Sequence, residues 1–124
     1  MEARKFRNLN LFTIRYPFTA IISILHRLSG LWVFLVLPFL LWGLATALHS
    51  AAGLTKVHDV LFTPIVKGIV WLSLVALWYH LLAGVRHMIM DIGYAESLFW
   101  ARVTGAASLV ITLIIAVFLG IWLW

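Results

Sequence analysis

Cysteine is absent from this 124-residue chain, and charge is scarce, with only 10% of residues being Asp, Glu, Lys or Arg. The missing thiols exclude disulfides, haem attached through a C-x-x-C-H pair, and an iron–sulfur cluster ligated by this chain alone. The missing charge stands beside 65% hydrophobic residues. A soluble domain runs near half apolar and a quarter charged. So short a chain leaves much of its surface exposed and has no core large enough to hide the excess. The composition is that of an integral membrane protein. The formal net charge of +5 does not mark a nucleic-acid surface, because the basic residues sit at the ends of apolar segments, where topology signals belong.

Three segments are long enough to cross a hydrocarbon layer of about 30 Å as helices. Of Asp, Glu, Lys, Arg and His, Leu28 to Leu48 has none, Gly68 to Val85 has only His80, and Val103 to Trp124 has none. No period-2 alternation suggests a barrel, so helices must satisfy the backbone. The expected fold is an all-α integral membrane protein with three transmembrane helices. Residues 1–17 form an arm, followed by helices over about 18–48, 64–91 and 101–124 in a single anchor domain. Pro17 and Pro64 suit helix starts, and Gly93 suits a C-terminal stop. The stretch from His49 to Thr63 reads as a short loop. Arg4, Lys5, Arg7, Arg15, Arg27, Arg86 and Arg102 fall on one side and only Lys56 and Lys67 on the other. The positive-inside rule therefore puts the N-terminus in the cytoplasm and the C-terminus across the membrane. The first apolar run is too long for a cleavable signal peptide, and no transit arm is evident, which favours a bacterial inner membrane.

Chemistry in such a chain rests on polar residues inside the spans, which are costly in lipid. His80 lies six residues inside Arg86, roughly 9 Å deeper at 1.5 Å per residue. A neutral imidazole there can ligate a metal or a haem iron, or hydrogen-bond between helices. Gly84 and His87 follow on the same face. Gly84 would let a flat macrocycle approach the backbone, and His87 with Arg86 would lie where propionates sit. On the first span Ser23, His26, Arg27 and Gly30 share a face. A hydroxyl and a guanidinium there can hydrogen-bond a quinone oxygen, hold a propionate or lipid phosphate, or simply anchor the helix at the interface. Asp91 can pass protons or pair with Arg86, and pairing is the expectation. His49 and His58 read as solvated loop residues. Ala101 and Gly105 form a small-residue pair on the last span.

Two runs carry a family resemblance. Ser23-Ile24-Leu25-His26-Arg27-Leu28-Ser29-Gly30 resembles the S-x-x-H-R-x-S-G signature of the cytochrome b membrane-anchor subunit of succinate dehydrogenase (succinate:quinone oxidoreductase). His80-Leu81-Leu82-Ala83-Gly84-Val85-Arg86-His87-Met88-Ile89-Met90-Asp91 resembles its second signature, H-x-x-x-G-x-R-H-x-x-x-D. Thr13 to Pro17 is similar to the arm before the first helix, although Arg7 is followed by Asn8 where family arms often have Arg-Pro.

The resemblance implies that His80 is an axial ligand of haem b and that Ser23 and Arg27 belong to a ubiquinone site. It also implies that His26, Arg27 and His87 lie near the haem propionates, and that Asp91 has a less defined role in proton access. It implies a flavoprotein subunit, an iron–sulfur subunit and a second small hydrophobic anchor subunit as partners, besides membrane lipid. With one deep histidine in this chain, the second haem ligand is expected from that second anchor, the haem being shared within a joint helical bundle. No residue of this chain alone is expected to be catalytic toward succinate. Three other readings stand beside this one. They are a fumarate reductase anchor, a cofactor-free membrane scaffold, and a formate dehydrogenase or hydrogenase cytochrome, which usually has more deep histidines.

Overall fold

The structure is a computed structural model that describes residues 16–94 and 96–124. Most of the basic N-terminal arm, with Arg4, Lys5, Arg7 and Arg15, lies outside the described residues. The described residues form four helices in order: α1 Phe18–His49, α2 Ala51–Leu61, α3 Pro64–Asp91 and α4 Leu98–Leu123. Helices α1, α3 and α4 are each long and apolar enough to cross a membrane. The described residues contain no strand.

Local chemistry sets the helix ends. Pro64 opens α3, where its missing N–H costs nothing. At the other end Gly93 adopts φ +91°, a conformation glycine enters without steric penalty. Gly93 N donates to Met90 O at 2.9 Å and Tyr94 N to Ile89 O at 3.2 Å. These paired bonds close α3 by satisfying carbonyls the helix leaves free. Helix α4 starts at Leu98, three residues ahead of the expected boundary, because the Ser97 side chain caps the first turn by accepting from Trp100 N.

The expected loop between the first two spans is instead mostly helix. Ser50 caps α2, its hydroxyl accepting from Gly53 N at 3.0 Å. At Gly53 the chain doubles back so closely that a Cβ would run into the Thr46 carbonyl. Lys56, His58 and Asp59 make α2 too polar to span a membrane. His58 and Asp59 contact each other at 3.4 Å and are exposed.

Helix α3 is central and packs on both α1 and α4, while α1 and α4 touch more lightly. The α4 side of the packing is a stripe of small buried residues: Ala101, Gly105, Ser108, Thr112 and Ala116. Small side chains let helix backbones approach where lipid offers no hydrophobic drive for association. Gly105 rests against Ile22, which is completely buried. Cross-helix hydrogen bonds add specificity. Trp32 Nε1 donates to Ser73 Oγ at 3.1 Å, and Trp71 Nε1 to Ala116 O at 2.9 Å. Toward α2, α1 and α3 enclose an apolar cleft of about 560 Å³, with Trp32, Phe39, Val57 and Leu74 in its walls. The outward faces of all three long helices are apolar, as a lipid or protein-lined environment requires.

Candidate functional site: a histidine column between α1 and α3

Two consecutive residues of α3 are tied to carbonyls one turn apart on α1. Tyr79 Oη donates to Ile22 O at 3.0 Å, and His80 Nδ1 lies 3.2 Å from His26 O. Together they fix the register of α3 against α1. Gly30 makes the approach possible. A Cβ there would stand 2.7 Å from His80 Cε1 and 3.1 Å from Nδ1. The imidazole edge occupies the room a side chain would need.

The oxygens around His80 Nδ1 favour one ring tautomer. Ser29, buried in the α1–α3 contact, uses its single hydroxyl proton on His26 O at 2.7 Å. Its oxygen lies 3.2 Å from His80 Nδ1. Neither neighbour of Nδ1 has a proton left to give it. Nδ1 therefore holds the ring hydrogen and donates to both oxygens, and the lone pair is on Nε2. That nitrogen has no hydrogen-bond partner among the described residues, and it is not sealed off as His26 Nε2 is. A neutral imidazole with Nδ1–H held by the protein and Nε2 open is in the form required of a metal ligand.

His26 stacks on His80 with ring centroids 4.4 Å apart and planes 24° apart. His87 continues the column, 5.0 Å from His26 and tilted by 32°. The Nε2 atom of His26 is buried with no hydrogen-bond partner among the described residues, an arrangement that costs free energy. Yet the three rings are arranged face to face. Among the described residues no three His, Asp or Glu side chains converge on one point as a bare metal ion would need.

The residues singled out from sequence do not all assemble. His26 and Gly30 face α3, Ser23 is half-buried, and Arg27 is exposed without a polar contact among the described residues. The space beside Gly84, expected to be open to a macrocycle, faces His26, whose Nε2 lies 3.7 Å from where a Cβ would be. Arg86 does not join His87 on the column side. It is buried toward α4, its Nε donating to Thr104 Oγ1 at 3.0 Å and its Nη2 to Ala101 O at 2.8 Å. It therefore makes no ion pair with Asp91, which is exposed at the end of α3 and has no salt bridge among the described residues. Ser29 and Tyr79 were not singled out as site residues. Ser29 stood in the S-x-x-H-R-x-S-G run without a role of its own, and Tyr79 was signalled only by its place next to His80.

A membrane-spanning helical anchor with an intramembrane histidine column is the class of protein that this architecture defines. The chain matches the succinate dehydrogenase/fumarate reductase transmembrane subunit family over residues 1–119 and belongs to that family. A succinate dehydrogenase cytochrome b556 subunit from Coxiella burnetii is 37% identical, with the alignment covering 100% of each chain. Proteins with the same name from Paracoccus denitrificans and Rickettsia typhi are 33% and 31% identical. They cover 83% and 81% of this chain, and 79% and 77% of their own.

Proposed function

We propose that this chain is the haem-binding anchor subunit of a succinate:quinone oxidoreductase in a bacterial inner membrane, and that its residues 1–17 lie on the cytoplasmic side. The observation that carries the reading is His80, with Nδ1 held by α1 and Nε2 without a partner among the described residues. One protein imidazole cannot hold a bare ion, but an iron already held by four macrocycle nitrogens needs only axial ligands. The residues thus fit haem b, which His80 would hold through Nε2 on this chain's side, with a second small anchor subunit supplying the other protein ligand. His26 and His87, whose rings continue the column from His80, would lie near the propionates, together with Arg27.

Succinate oxidation belongs to the flavoprotein partner, and electrons reach the membrane through an iron–sulfur partner. Ser23 and Arg27 bind ubiquinone at the cytoplasmic edge. The Ser23 hydroxyl and the Arg27 guanidinium donate to its oxygens, orient it, and favour the charge that develops as two electrons arrive. Two protons complete the quinol, and exposed Asp91 at the end of α3 gives a route for them from water. Bound haem b supplies a one-electron store beside this path. The names of the similar proteins favour succinate oxidation over fumarate reduction as the working direction.

The test is a reduced-minus-oxidised visible spectrum of membranes containing the full complex, with native His80 and with His80→Ala. A b-type signal that shrinks or shifts in the variant is expected. No b-type signal in the native complex, or a signal unchanged by the substitution, would remove His80 from the iron.

A further inference from the structure

From the contacts around His80 we infer that Ser29 and Gly30 are positioning residues for its imidazole, setting its tautomer, plane and donor strength. The inference rests on the proposed role of His80 as an iron ligand. Nothing about the family match requires it, because it follows from three distances. The Ser29 hydroxyl is committed to His26 O at 2.7 Å, which leaves its oxygen as an acceptor 3.2 Å from His80 Nδ1. The His26 carbonyl accepts the same ring hydrogen at 3.2 Å. The edge of the ring rests where a Cβ at Gly30 would be 2.7 Å from Cε1.

Each contact has a separate consequence. Two acceptors on one N–H draw the ring toward imidazolate character, making Nε2 a stronger donor that favours ferric over ferrous iron. Removing the Ser29 oxygen leaves one acceptor, so the midpoint potential rises. The Gly30 contact is steric. With Gly30 in front and His26 stacked at 4.4 Å on the ring, His80 has little freedom to rotate about its side-chain bonds. Any added methyl must turn or displace the ring and so misdirect Nε2. Gly43, on the same helix, has nothing within 4 Å of a built Cβ and is the matched control.

The experiment uses the intact complex in native membranes and reads haem content from the difference spectrum and midpoint potential from redox titration. Ser29→Ala should keep the haem and raise its potential, and Ser29→Thr, which restores a hydroxyl, should return it toward the native value. Gly30→Ala should lower haem content several-fold or shift the absorption band, while Gly43→Ala should change neither. If Ser29→Ala and Gly30→Ala both give native content and potential, the inference is overturned. The same holds if Ser29→Ala and Ser29→Thr shift the potential equally, because the hydroxyl is then not the cause. If His80→Ala retains the native signal, the ligand assignment itself has failed, whatever the other variants do.

Discussion

Ile22→Ala and Gly105→Ala should each weaken the bundle and should rescue one another. Ile22 is fully buried, and a Cβ at Gly105 would lie 3.3 Å from its Cγ1 and 3.7 Å from its Cγ2. Cutting Ile22 back to alanine removes three carbons. In a water-soluble core this costs about 2–5 kcal/mol, of which about 0.8 kcal/mol per carbon is transfer from water. Separated helices in a membrane keep Ile22 in hydrocarbon, so the transfer part is not lost. What remains is unfilled packing, about 1–2 kcal/mol. Gly105→Ala alone crowds Ile22 and costs about 1 kcal/mol, the low end for an extra methyl in a packed site. In the Ile22→Ala background the one tight neighbour, Cγ1, is gone, and the new methyl enters the vacated space. The double variant should therefore be more stable than the sum of the two losses by about 1–2 kcal/mol, well above the few tenths expected of independent sites. Unfolding free energies from detergent titration of the full-length chain in mixed bicelles would measure the cycle. Additivity within about 0.5 kcal/mol would refute the α1–α4 contact as drawn.

Two further substitutions separate the quinone-binding and structural roles of arginine. Arg27→Leu should slow quinone reduction by about ten- to a hundred-fold, the loss of one charged hydrogen bond of about 1.5–3 kcal/mol. Electron transfer to a water-soluble dye that takes electrons from the partner subunits should persist, and a loss of both rates would place Arg27 in assembly instead. Arg86→Gln should leave the haem spectrum unchanged, because the guanidinium faces Thr104 and Ala101 on α4. It should still destabilise the bundle by about 1.5–3 kcal/mol through loss of one of its two charge-assisted bonds. A shifted spectrum with unchanged stability would return Arg86 to the haem side.

What was legible in the sequence was whatever a single helix decides by itself. The apolar runs and the closing turn at Gly93 follow from periodicity, turn chemistry and length. Helix α2 was missed because an 11-residue segment with Lys56, His58 and Asp59 carries no spanning signal, although Ser50 stands as an N-cap ahead of it. The expected Arg86–Asp91 pair conflicts with helical geometry. Five residues advance about 500°, which puts the two side chains roughly 140° apart around the axis.

Contacts between helices were less legible, because they depend on register that no single helix encodes. Ser29 in an apolar helix can bond its own preceding turn, and it does so at His26 O. Its second role exists only because Tyr79 and His80 dock on the carbonyls of Ile22 and His26. That docking in turn needs bare backbone at Gly30, and the lighter α1–α4 contact needs it at Gly105. The two glycines therefore play parallel parts on different helices. Each removes a side chain where another helix must come close, one admitting His80 and the other Ile22. Disturbing Gly105 should loosen the bundle without moving the His80 ring, whereas disturbing Gly30 moves the ring directly. Stability and ligand geometry are thus separable in this chain, although both depend on α1.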